Sequence, residues 1–184
     1  MTNVLGKDEY FSGTVTYGKV KDMQSFVLLS YSTFFDRFAS HYQDVWRLHA
    51  NANYDWKIND LVSVYASTSY FYYDTIVSHK ENINGELGVY LNLAEKIKIN
   101  TSVSYLGKRK SVRGEDNGTD FIIDYNDVLD LDPQLHANIS IDYKYTKSIS
   151  AYLRVKNIFD SKRYMWEGYQ EIGRNAWFGL SYSF

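Results

Sequence analysis

The segment Asn175-Ala176-Trp177-Phe178-Gly179-Leu180-Ser181-Tyr182-Ser183-Phe184 decides the fold. Ala176, Phe178, Leu180, Tyr182 and Phe184 fall on one side of an extended chain, and Asn175, Trp177, Gly179, Ser181 and Ser183 on the other. A period of two is that of a β-strand with one apolar and one mostly polar face. The same alternation runs upstream. Residues 134–146 set Leu135, Ala137, Ile139, Ile141 and Tyr143 against His136, Asn138, Ser140, Asp142 and Lys144. Residues 148–157 set Ile149, Ala151, Leu153 and Val155 against Ser150, Tyr152, Arg154 and Lys156.

Working outward, the pattern predicts nine strands, at 9–20, 24–36, 45–57, 61–73, 81–93, 96–109, 134–146, 148–157 and 173–184. The first, second and fourth alternate poorly, and Phe26 and Leu28 break the pattern in the second. A helical turn is expected at Asn157-Ile158-Phe159-Asp160; no amphipathic helix competes elsewhere.

Composition limits what such strands can build. The chain has 184 residues, no cysteine, one proline (Pro133), and 17% aromatic residues. Without cysteine there is neither a disulfide framework nor a cysteine-ligated zinc. A net charge of −2 gives no electrostatic case for nucleic acid. The longest apolar runs, such as Phe26-Val27-Leu28-Leu29, fall far short of the ~20 residues of a membrane helix. A mean hydropathy of −0.41 suits a soluble protein, but barrel strands turn only every second residue to lipid and escape such averages.

Two features favour a membrane barrel over a soluble sandwich. Aromatic residues sit near strand ends on the apolar face: Trp46, Trp56, Tyr105, Tyr143, Tyr145 and Tyr182. Such residues form the interfacial girdles of membrane barrels. Strands as long as these also exceed the usual five or six residues of globular sheets and match the roughly 9–11 that cross lipid at a tilt. The charges obey the division, with Arg47, Lys98, Asp142, Lys144 and Arg154 on polar faces. The fold class expected is an all-β, antiparallel up-and-down transmembrane barrel. The connections agree. Short turns are expected near Asp22, at 58–60, at 94–95 and at Lys147, and longer connections at 37–44, 74–80, 110–133 and 158–172. Tight periplasmic turns opposite long extracellular loops are the organisation of outer-membrane barrels. Nine strands, the first beginning outside, would not close a bacterial barrel of even count, so further strands are expected before Met1.

The stretch Asn157-Ile158-Phe159-Asp160-Ser161-Lys162-Arg163-Tyr164, followed by Gly173-Arg174 and a final strand ending on an aromatic residue, resembles the C-terminus of TonB-dependent outer-membrane receptors. The match rests on Asn157, Phe159, Asp160, Lys162, Tyr164, Gly173, Arg174 and Phe184. The resemblance implies that residues 1–184 are the C-terminal portion of a 22-stranded barrel. Neither a plug domain nor a signal peptide is visible within them. It implies a parent protein in the outer membrane of a Gram-negative bacterium that takes up siderophore-iron, cobalamin or a glycan. TonB and the plug would be engaged only through the rest of that protein. Leu180, Tyr182 and Phe184 resemble the signal read by the barrel-assembly machinery. Two alternatives stay open: a complete small outer-membrane barrel with a structural, adhesive or pore role, and a soluble lipocalin-like barrel whose apolar face lines an interior.

No candidate site is catalytic. No GxSxG, P-loop or GxGxxG occurs, and no cofactor is implied. His41, His49, His79 and His136 lack metal-ligand spacing. The 110–133 connection carries Glu115, Asp116, Asp120, Asp124, Asp127, Asp130 and Asp132, oxygen donors of the type Ca²⁺ takes, but also the composition of a hydrated loop. Tyr164, Trp166 and Tyr169, in the last long connection, are candidates to stack on a small-molecule ligand.

Overall fold

The computed structural model describes residues 2–6, 8–31, 37–94, 96–116 and 121–183. The strands in chain order are β1 (Thr2–Gly6), β2 (Glu9–Tyr31), β3 (Arg37–Lys57), β4 (Val62–Tyr73), β5 (Ile83–Leu93), β6 (Ile97–Leu106), β7 (Arg109–Asp116), β8 (Phe121–Leu131), β9 (Gln134–Lys144), β10 (Ile149–Lys156), β11 (Tyr164–Trp166), β12 (Tyr169–Gln170) and β13 (Asn175–Tyr182). The main sheet runs β13-β10-β9-β6-β5-β4-β3-β2-β7-β8, with β1 also on β2; β11 and β12 form a separate small hairpin. From β13 to β2 every neighbour is antiparallel, whereas β7 joins β2 in parallel over Leu28–Tyr31. Among the described residues the sheet is open.

Register makes each stripe of side chains continuous across the strands. Trp56, Val64, Val89, Thr101, Ile139, Val155 and Ala176 stand side by side in successive strands of one face. Ser12, Asn53, Ser67, Glu86, Ser104 and His136 form a row on the other. A slip of one residue in β3, β5, β6, β9 or β10 would set charged groups into the apolar row, so register is fixed there by the pattern itself. The apolar face is bare: Leu180 is 72% exposed, Phe178 70%, Val15 70% and Leu87 59%. So broad a hydrophobic surface marks a membrane or protein contact rather than a face left to water.

The connections at one end cross the opposite face. Gln134, in a polar row, donates to the Tyr164 carbonyl at 3.0 Å, and Gln43 donates to the Ile76 carbonyl at 3.0 Å. At these two points the connections lie against the polar face. The bare apolar stripe overturns the lipocalin-like alternative, which needs it covered.

The end with tight connections is held by side-chain caps. Asn59 Oδ1 accepts from the Leu61 and Val62 amides at 2.8 and 2.9 Å. Thr146 Oγ1 accepts from the Ser148 and Ile149 amides at 3.2 and 3.0 Å. Ala94 takes a positive φ of 51° between β5 and β6.

Four expectations need correction. The chain does not turn near Asp22: residues 9–20 and 24–31 are one strand, paired with β3 from Glu9↔Trp56 to Leu29↔Arg37. Lys21 and Asp22 together oppose the single residue Asp44, which makes a β-bulge. Asp44 holds it, accepting from the Asp22 amide at 3.1 Å and pairing with Lys19 at 2.7 Å. The bulge inverts parity. Below it Val15 and Tyr17 share a face with Leu48 and Trp46; above it the even residues Gln24, Phe26 and Leu28 do. Phe26 and Leu28 break the alternation for this reason. Second, residues 37–44 are the upper part of β3 and not a loop. Third, the connection at 110–133 is largely the β7–β8 hairpin. Fourth, Asn157–Asp160 is a single turn closed by Asp160 N–H to Asn157 O at 2.9 Å, with both residues at positive φ, and not a helix.

The buried core is small and sits at the long-connection end. Val27, Leu29 and Val112 are almost fully buried, with Ala39, Ile76, Ile123 and Val128 packed on them. The odd residues of upper β2 thus seat the β7–β8 hairpin and the β4–β5 connection.

Candidate functional site

The polar face carries rings, amides and ion pairs at close quarters. Arg154 is bonded to Asp142 at 2.7 Å and stands 5.1 Å from the Tyr152 ring centre. Tyr65 donates to Glu86 at 3.1 Å. Two of these rings lie flat on the sheet only because a glycine is beneath. A Cβ at Gly88 would stand 2.2 Å from the Tyr65 ring, and one at Gly179 2.3 Å from the Tyr152 ring.

At the long-connection end, four separate segments converge. Of the three candidate ligand-contact residues, Trp166 and Tyr169 come together, with ring centres 6.3 Å apart. Phe38 joins both, at 5.4 Å from Trp166 and 5.3 Å from Tyr169, and Phe26 stands 5.1 Å from Trp166. Each such ring pair contributes about 0.5–1.5 kcal/mol beyond its area. Tyr164 is separate from the cluster. Its carbonyl, and that of Met165, accept from Arg109 Nη2 and Nη1, each at 2.7 Å.

His79 ties the segments to one another. It has a positive φ of 63° and is buried. Its Nδ1 lies 2.9 Å from the Phe26 carbonyl and 2.9 Å from Ser78 Oγ, while Nε2 faces the Glu167 amide at 3.3 Å. The carbonyl can only accept, so Nδ1 carries the proton and Nε2 accepts from Glu167 N–H. Ser78 Oγ accepts from the Val112 amide at 3.0 Å, and Glu167 forms an ion pair with Arg113.

Burial pushes the His79 imidazole below its ordinary value, with the neighbouring Arg109 charge acting in the same direction. Its folded pKa lies under that of the unfolded chain. The linked stability is therefore intact above about pH 6.5 and is lost as pH falls through the folded value. A proton on Nε2 would oppose the Glu167 amide. Amide protection at residues 164–170, measured relative to the intrinsic exchange rate at each pH, is expected to fall between pH 7.5 and pH 5, and His79→Gln should flatten that step. A step that survives in the variant would assign it to another group.

The C-terminal motif forms a knot beneath this cluster. The Asn157 amide donates to Asn138 Oδ1 at 3.2 Å, and its side chain bonds the Ser161 backbone in both directions, at 2.8 and 3.1 Å. Asp160 Oδ1 accepts from the Arg174 amide at 2.7 Å, and a Cβ on Gly173 would stand 2.6 Å from that oxygen. Asn157, Asp160, Gly173 and Arg174 thus close the β10–β13 connection from both ends. Phe159 is exposed and packs into none of this. Leu180 and Tyr182 lie on the bare apolar face, and Phe184 is outside the described residues.

Among the described residues no group of three or more His, Cys, Asp or Glu side chains could hold a metal. In the acidic connection Arg113 intervenes, 3.8 Å from Asp127. Asp120 lies outside the described residues. His41 faces the Tyr125 hydroxyl at 3.0 Å, and His49 stacks on Phe71 at 4.5 Å.

No family model matches the sequence, and no curated protein matches it. Solved structures do match in shape. The copper transporter OprC aligns with a TM-score of 0.70 at 13% identity, covering 98% of this chain and 30% of that one. The ferric enterobactin receptor PfeA from Pseudomonas aeruginosa gives 0.69 at 15% identity, over 97% and 29%. The outer membrane transporter YddB from Escherichia coli gives 0.69 at 12%, over 100% and 31%. The chain spans less than a third of each of those structures. Its fold is that of a stretch of the β-barrel wall of outer-membrane receptors, the architecture implied by its resemblance to the TonB-dependent ones.

Proposed function

We propose that this chain is the C-terminal portion of the barrel of a TonB-dependent transporter in a Gram-negative outer membrane, which imports a scarce nutrient of the siderophore-iron, cobalamin or glycan class. The observation that carries the reading is sidedness: an apolar stripe stands bare across successive strands, while the opposite face carries rows of polar side chains. Such a wall suits hydrocarbon on one side and water or a plug on the other. The proteins whose shape it shares are transporters and receptors, which supports transport over catalysis.

On this reading the Phe38, Trp166 and Tyr169 rings lie at the extracellular mouth, where exposed Tyr169 offers a face for a ligand to stack on. Leu180, Tyr182 and Phe184 are the segment that the assembly machinery reads. TonB and the plug act through the remainder of the protein. Deleting the gene is expected to abolish uptake of one nutrient in a panel of labelled ferric siderophores, cobalamin and oligosaccharides. That uptake should also stop in the parent strain when an uncoupler collapses the proton gradient. Unchanged uptake across the panel, or recovery of the protein from the soluble fraction, would defeat the proposal.

A further inference from the structure

Alternation fixes the register of a strand only in part. A slip of one residue turns every side chain to the wrong face, whereas a slip of two leaves both stripes intact. Tight turns settle the remaining choice where they join β3 to β4, β5 to β6 and β9 to β10. β4 and β5 are joined instead through residues 74–82, and β10 and β13 through residues 157–174, spans too long to set a register.

Both of those pairs carry the same device. On the polar face Tyr65 of β4 stands directly opposite Gly88 of β5, and Tyr152 of β10 directly opposite Gly179 of β13. The tip of each ring lies over its glycine, where an added Cβ would overlap it. Neither glycine takes a positive φ, so the missing side chain serves the ring and not the backbone. The rings are also held from the side. Tyr65 donates to Glu86 at 3.1 Å and meets the Tyr90 ring at 5.0 Å, the residues two places either side of Gly88. The Tyr152 ring centre lies 5.1 Å from the Arg154 guanidinium carbon, and Asp142 holds that guanidinium at 2.7 Å. A slip of two residues would set Tyr65 opposite Glu86 or Tyr90, and Tyr152 opposite Trp177 or Ser181. Each of those carries a Cβ where the ring has to lie.

We infer that the two tyrosine–glycine pairs are the register locks of β4–β5 and β10–β13, and that Tyr152 on Gly179 sets the position at which β13 joins the sheet. The stripes choose the face. The ring then chooses the row, because Gly88 and Gly179 are the single positions without a Cβ on the polar faces of β5 and β13. The knot at Asn157 and Asp160, which ties the upper ends of β10 and β13, is the competing determinant. The lock operates whichever nutrient the protein carries.

The test uses the full-length protein expressed from its own gene, with cysteine pairs oxidised in whichever cell fraction holds it. Ala151→Cys with Leu180→Cys reports the native register, and Ala151→Cys with Phe178→Cys or Tyr182→Cys reports a slip of two. The native pair alone is expected to crosslink. Gly179→Ala and Tyr152→Ala should each lower the ratio of native to slipped crosslink at least tenfold, while Tyr152→Phe, which keeps the ring, should leave it unchanged. Both substitutions remove one shared contact, so the double variant should be no worse than either alone. Should Gly179→Ala fail to accumulate, adding Tyr152→Ala should restore it. An unchanged ratio in the single variants would overturn the lock and hand register to the knot. Additive losses in the double variant, or its failure to accumulate, would overturn it as well. Recovery of the protein from the soluble fraction would defeat the membrane reading, with the lock still decided by the crosslink ratio.

Discussion

Leu87→Arg is expected to keep the protein out of the outer membrane, whereas Ser67→Arg, one strand away on the opposite face, is expected to leave it there. Leu87 lies near the middle of β5 on the bare apolar stripe, between Ala66 and Val103. A guanidinium at that depth costs about 2–4 kcal/mol. Ser67 is directly across from Glu86, so an arginine there gains a carboxylate partner on the wet side. Membrane fractionation and heat-modifiable gel mobility would report both variants. Normal assembly of the Leu87 variant would mean that the apolar stripe does not face lipid.

Arg109→Ala is expected to release the β11–β12 hairpin without unfolding the sheet. The guanidinium grips two successive carbonyls of that hairpin, Tyr164 and Met165, and the residue is only 4% exposed. Hydrogen bonds from a charged donor contribute about 1.5–3 kcal/mol each, so local stability should fall by roughly 3 kcal/mol or more. Limited proteolysis should then cut within residues 164–170 at least a hundredfold faster, while the rest of the chain stays resistant. Arg109→Lys should rescue little, because a single ammonium does not reproduce the fork. Unchanged protection in the alanine variant would assign the hairpin's order to the aromatic cluster.

The β5, β6, β9, β10 and β13 strands were legible in the sequence because nothing interrupts their alternation, and cross-strand register then aligns like with like. β2 was not, since the bulge at Lys21 and Asp22 cancels the period over the length of the strand. The β7–β8 hairpin was hidden by its acidic side chains and by the register shift after Val112, which leave no clean stripe to read. In the mouth cluster Trp166 and Tyr169 were visible as aromatics in a long connection. Phe38 was missed because it was assigned to a loop. His79 and Arg109 meet that connection across 88 and 56 residues of chain, and sequence spacing holds no trace of such contacts. The buried histidine at positive φ is recognisable only once its partners are in place.

The doubled residue in β2 lets one long strand serve two masters. Below it the strand answers to the bilayer; above it, to the lid, and the two halves are free to change composition independently. Deleting Asp22 would restore a single phase along all of β2. Val27 and Leu29 would then rotate away from Val112, and the mouth would lose its foundation while the wall beneath stayed intact.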